Sequence, residues 1–410
     1  MCAVRLLAGV RGPGAVPLLP SLRALATPRT FTAILVSFAL VVIGAQLFNP
    51  PRGDDLAYLR WAAERAWDPW TPMFRPPPFP GWRPANAFVW WLSVSIEGVG
   101  GWLPQVSLVG LWSLALIAGW GWTRARWGGA AGLWTVAFLL ATDRFRELLI
   151  WRSWLTSAGS VAFLLLTLWA LDRKRGALAL VLGAVAVCFK ETGAPPLIVA
   201  ALVVYGRPAI AIGIFVAALP GVANAILDAG LFALGQNAAW NVAERSRTYA
   251  MWFLRSGWLP VTAVGLVLGG GAKVETQDRR WLAVAAAALV APALYRVANP
   301  TCLLEAVVIL AGCVASAVHR GGRAQLAVVA LVASLYTLPG TLLDGRWQTQ
   351  QWFAAREAYA ELVAAAPRGW TAAEGEADNA LWFGLRLRFD LAVPEAVGCA
   401  EVVAGVGVCR

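Results

Sequence analysis

An all-α polytopic membrane protein is the fold class this sequence predicts, and three observations predict it. Hydrophobic residues make up 59% of the 410-residue chain and charged residues 14%, a balance soluble domains do not keep. Apolar runs of membrane-spanning length recur along most of it. The net charge of +11 sits largely in short loops between those runs, where it sets orientation rather than attracting nucleic acid. The 23 tryptophans suit the same setting, because indole rings favour the headgroup level.

Residues 1–30 hold Arg5, Arg11, Arg23 and Arg29 and no acid, which predicts a cytoplasmic N-terminal segment. The run Phe31–Phe48 ends in Asn49-Pro50-Pro51 and reads as a retained first span rather than a cleaved signal. The polar stretch 49–102 then lies outside. Within it, Leu56, Leu59, Ala63 and Trp67 share one helical face opposite Arg60 and Glu64, predicting a helix in the interface. Prolines from Pro69 to Pro84 favour extended backbone, and 85–98 returns to the membrane surface.

Leu103–Trp122 crosses back and Trp127–Ala141 crosses out. The basic segment 143–154, with Arg144, Arg146 and Arg152, is expected outside against lipid headgroups. Leu155–Leu171 returns to the inner turn Asp172-Arg173-Lys174-Arg175. The run Ala177–Tyr205 is broken by Phe189-Lys190-Glu191-Thr192-Gly193 and Pro195-Pro196. At about 29 residues, with two charges at its middle, it predicts two short helices meeting at the outer surface. Parity agrees: with a hairpin there, Arg207, Lys273, Arg279, Arg280, Arg320 and Arg323 fall inside.

Further spans at 208–227, 257–271, 281–297, 301–318 and 324–339 bring the total to about eleven and close a membrane domain over 31–340. The segment 341–410 is then external. It predicts a small α/β appendage built from an amphipathic helix, Trp347–Ala365, and an alternating strand from Leu381 to Leu391. Cys2, Cys188, Cys302 and Cys313 read as packing residues. Cys399 and Cys409 share the external tail and are expected to pair. The lone His319 leaves no histidine-rich metal cluster.

Several motifs resemble those of the integral-membrane C-type glycosyltransferases, especially the protein O-mannosyltransferase-like branch. The acidic pair Asp54-Asp55 follows the first span, and a proline-rich stretch ends in Trp82-Arg83-Pro84. Gly101–Pro104 precedes the second span, and Lys190-Glu191 sits between short helices. Beyond residue 205 only topology and the externally placed Arg296 match, and Tyr295 precedes that arginine where the family has the reverse order.

The resemblance implies transfer of a sugar from a polyprenyl-phosphate donor to a glycan, lipid or protein acceptor at the outer face of a bacterial inner membrane. Such chemistry needs a carboxylate to take the acceptor's proton and cations to stabilise the departing phosphate. Asp54 or Asp55 would be the base. Arg83, Lys190 and Arg296 would meet the phosphate, and Glu191 would orient Lys190 or the acceptor. Asp54, Asp55 and Glu191 are also candidate ligands for Mg2+ or Mn2+.

Plainer readings stand beside these. One aspartate caps the helix near Leu56, Lys190 and Glu191 neutralise each other, and Arg83 snorkels to the interface. As rival functions, a transporter or flippase of lipid-linked saccharides would want charges inside the spans, where Asp228 is nearly the only isolated candidate. An O-antigen-ligase-like enzyme would want an external histidine, and His319 falls inside. An inactive scaffold of the same fold is the fourth reading.

Overall fold

The computed structural model describes residues 28–46, 55, 58, 61–62, 82–97, 102–142, 145–146, 148–149, 152–227, 243–244, 246–251, 276–294, 303–321, 371–372, 401–403 and 406–409. Helices account for nearly all of them. In chain order these are α1 (Pro28–Gln46), α2 (Pro84–Glu97), α3 (Leu103–Trp127), α4 (Gly129–Ala141) and α5 (Leu155–Asp172). They continue with α6 (Gly176–Phe189), α7 (Ala194–Val199), α8 (Pro208–Leu227), α9 (Thr276–Leu294) and α10 (Leu304–Gly321). Three short strands, β1 (Thr371–Ala372), β2 (Glu401–Val403) and β3 (Val406–Cys409), form an antiparallel ribbon in the order β1-β3-β2. The predicted tail helix 347–365 and strand 381–391 lie outside the described residues, as do the spans at 257–271 and 324–339.

Local chemistry explains the helix ends. Pro104 occupies the first turn of α3, where its missing N–H costs nothing. Arg124 and Arg126 sit in the last turn of α3, matching the negative end of the helix dipole. Gly128, at φ 103, ends that helix and lets α4 begin at once. Side chains that face outward on these helices are apolar: Ile34, Leu40 and Val41 on α1 and Ile212, Phe215 and Val216 on α8 are exposed. Such faces are a liability in water and the expected surface against lipid.

Helix α5 is the centre of the bundle. Within its apolar window 78% of the residues are buried, against 44% for α3. It packs on α3, α6 and α10. At one end of the bundle Arg126 pairs with Asp172 at 2.9 Å and lies 5.5 Å over the ring of Tyr205 and 5.6 Å over Trp281. That cluster fixes the direction of the chain. Helix α6 starts just after Asp172, and Tyr205 brings the chain back to the same end, so it reverses near Lys190. The reversal is the hairpin expected from parity. Lys190 is extended (φ −161, ψ 128), Glu191–Gly193 makes a 3-10 turn, and Pro195-Pro196 open α7. A π-helical turn, Ala200–Val204, completes the return.

Candidate active site

The end of the bundle opposite Arg126 gathers the candidate residues, arranged around the start of α5. Ser153, Ser157 and Ser160 fall at helical spacing, which puts them on one face. Each lies at the contact of a different segment with α5. Asp55, on a short helical segment before α2, has no exposed surface. Its carboxylate accepts the backbone N–H groups of Arg152, at 3.3 Å, and of Ser153. Those are orphan donors at a helix start, where a negative charge is also favoured by the dipole. Asp55 therefore caps the 3-10 turn Arg152–Trp154 that leads into α5, 97 residues away. Asp54 lies outside the described residues.

One turn further along α5, the Lys190 ammonium donates to Ser157 Oγ at 2.9 Å. The approach depends on Gly159. A Cβ there would collide with the ring of Phe189, so only glycine lets the end of α6 lie this close to α5. Beside it, Arg83 makes a two-pronged contact with Glu191: Nη2 donates to Oε1 at 3.0 Å and Nε to Oε2 at 3.2 Å. The forked geometry suits a guanidinium and a carboxylate. Arg83 thus reaches a partner 108 positions on rather than only snorkelling. The contact joins the proline-rich loop to the hairpin. Glu191 and Lys190 each have a partner elsewhere in the fold, Arg83 and Ser157.

A third contact was not anticipated at all. Glu305, in the first turn of α10, has no exposed surface. Its Oε1 accepts from Ser160 Oγ at 2.9 Å and from Thr192 Oγ1 at 2.8 Å. It ties α5, the hairpin turn and α10 together. The signal available in the sequence was a lone acid in the apolar run Leu303–Leu310, together with serines at helical spacing in 153–160. Asp228 lies outside the described residues. Arg296 also lies outside them.

The basic segment after α4 departs from expectation. Arg146 and Arg152 are 2% and 3% exposed, so neither is spread among headgroups. Arg146 Nη1 donates to the carbonyls of Leu140, at 2.8 Å, and Ala141, at 2.7 Å, closing the end of α4. Trp112 Nε1 donates to Phe145 O at 2.7 Å. Gln105 Nε2 donates to Gln46 O at 2.9 Å. Side chains from α3 thereby hold both neighbouring connections, and the segment packs because its carbonyls need those donors. In the first loop Asp55, Tyr58, Trp61 and Ala62 are described and buried, and the predicted face of Leu56, Leu59, Ala63 and Trp67 lies outside the described residues. Tyr58 stacks on Trp90 of α2 with centroids 5.4 Å apart.

Of the candidate metal set Asp54, Asp55 and Glu191, Asp54 lies outside the described residues. Asp55 and Glu191 are each directed at protein donors, and among the described residues no group of three His, Cys, Asp or Glu side chains could hold an ion. Helix α10 runs from Glu305 to Gly312, which packs on Trp122 near the Arg126 end. His319 lies further along α10 in that same direction, away from the site.

This arrangement shares its overall fold with a solved structure. No family model matches the chain, and no curated protein does. The crystal structure of ArnT from Cupriavidus metallidurans bound to undecaprenyl phosphate matches with a TM-score of 0.52 at 16% identity, over 87% of this chain and 75% of that one. The apo structure of the same protein gives 0.49 at 14% identity, over 83% of this chain and 65% of that one. The chain thus spans 65% to 75% of the length of these two structures.

Proposed function

We propose that this protein is a membrane glycosyltransferase that takes its sugar from a polyprenyl phosphate. The observation that carries the reading is the meeting of Arg83 with Glu191, beside Lys190, at the capped start of α5. Elements far apart in sequence, each suited to phosphate or acceptor chemistry, converge on one end of the bundle. The fold shared with ArnT, which holds undecaprenyl phosphate in its crystal structure, supports the same donor class.

Asp55 is committed to two backbone amides, so the role of base goes to Asp54. As the acceptor oxygen bonds to the anomeric carbon, its proton passes to the Asp54 carboxylate. The bond from that carbon to the phosphate oxygen breaks with its electron pair, and polyprenyl phosphate leaves with inversion at the carbon. Lys190, with Arg83 and Arg296, stabilises the charge that develops on the phosphate. The site faces outward in this reading. Arg124, Arg173, Lys174, Arg175, Arg207, Arg279 and Arg280 at the opposite end are exposed, as on a cytoplasmic face, whereas Arg152 and Lys190 at the site are buried.

A flippase for lipid-linked saccharides draws support from Glu305. That carboxylate, however, is fully enclosed between α5 and the hairpin turn, which suits a fixed site better than a path. Lys190→Met keeps the side chain's bulk and removes its charge. Its affinity for undecaprenyl phosphate should fall about tenfold or more. Unchanged affinity in a folded variant would remove Lys190 from the phosphate site.

A further inference from the structure

Asn86 is the polar side chain that the site described so far leaves unexplained. It stands in the first turn of α2, three residues after Arg83, and has no exposed surface. Neither its Oδ1 nor its Nδ2 has a hydrogen-bond partner among the described residues. Folded proteins rarely enclose a carboxamide with both ends unsatisfied, because each polar atom gave up water to be there. An apolar residue of similar size would serve the apo fold better. Four residues on, the buried indole N–H of Trp90 also lacks a hydrogen-bond partner. Asn86 and Trp90 share the buried face of α2 with Ser93. The ring of Trp90 stacks on Tyr58, and Trp61 belongs to the same aromatic cluster. A carboxamide beside aromatic rings, with donors and an acceptor in reserve, is the chemistry that recognises sugar hydroxyls.

We infer that Asn86 is a sugar-recognition residue, its Oδ1 accepting from one hydroxyl of the donor's sugar and its Nδ2 donating to the neighbouring one. The inference rests on the glycosyltransferase reading and deepens it. Arg83 lies one helical turn from Asn86, so a donor whose phosphate meets Arg83 carries its first sugar toward Asn86. Trp90 Nε1 is a second donor on the same face for that sugar.

Two measurements on the full-length protein in detergent test this, each made on wild type, Asn86→Ala and Asn86→Leu. The first is thermal unfolding without ligand. Relief of an unsatisfied amide predicts an unchanged or higher Tm in Asn86→Leu. A Tm lowered in both variants would make Asn86 a structural residue and overturn the inference. The second is binding of undecaprenyl phosphate alone, compared with a panel of undecaprenyl-phosphate hexoses and pentoses. Wild type should bind at least one sugar ester more tightly than the bare lipid phosphate. Asn86→Ala should lose that increment, about tenfold or more, and keep its affinity for the bare phosphate. If the variants keep the increment, Asn86 does not read the sugar and the inference fails while the enzyme reading stands. If wild type binds neither bare phosphate nor any ester, the donor class itself is wrong, and the inference falls with it.

Discussion

A carboxylate that accepts two backbone N–H groups at a helix start is held by both and is poorly placed to take a proton. This separates the two adjacent aspartates. Asp54→Asn should lower turnover about 100-fold or more with little change in donor affinity. Asp55→Asn should act mainly on the fold, costing about 1–3 kcal/mol, read as a lower Tm in protein that still binds donor. Comparable turnover loss at unchanged Tm in both variants would refute the division of labour. The identity of the polar residues was legible in the sequence, since Arg83, Lys190, Glu191 and the acidic pair all stood out against apolar surroundings. Their partners were not. Asp55 bonds to amides of a distant helix, and backbone amides leave no mark on residue type. Glu305 was passed over because an acid at the start of an apolar run resembles an ordinary helix-terminal charge.

At the scale of elements, the hairpin at Lys190 could be read from charge and parity together, because two ionisable groups do not sit mid-span without a break. The closeness of α5 and α6 could not, since it depends on the absence of a Cβ at Gly159 facing Phe189. Gly159→Val should therefore push Phe189 and Lys190 away from Ser157. We expect a stability loss of about 1–3 kcal/mol and a weakened affinity for undecaprenyl phosphate. Gly110→Ala is the control: nothing lies within 4 Å of its added Cβ, and α3 gains about 0.5–1 kcal/mol of helix preference. Equal effects at the two positions, measured by thermal unfolding and lipid binding, would contradict the packing account. The connection at 143–154 was misjudged for a related reason. Its arginines were counted as charges, whereas Arg146 donates to the open carbonyls at the end of α4.

For the molecule as a whole, hydropathy sufficed for a mostly helical fold, because a bilayer forces backbone pairing into helices. The proposed orientation, with an odd number of spans, puts the segment after residue 340 outside. Alkaline phosphatase fused after residue 345 should be active, and an inactive fusion with an active cytoplasmic reporter there would reverse it. In the same compartment Cys399 and Cys409 should resist alkylation until reduced; two freely alkylated thiols in the non-reduced protein would deny the pairing. The central claim, sugar transfer from a lipid phosphate, is met most directly by one assay. Purified protein is incubated with a panel of polyprenyl-phosphate sugars and a membrane extract as the source of acceptor, and free polyprenyl phosphate is quantified. The account predicts release with at least one donor and about 100-fold less release from Asp54→Asn. No release from any donor by folded wild-type protein, or equal release by the variant, would contradict it.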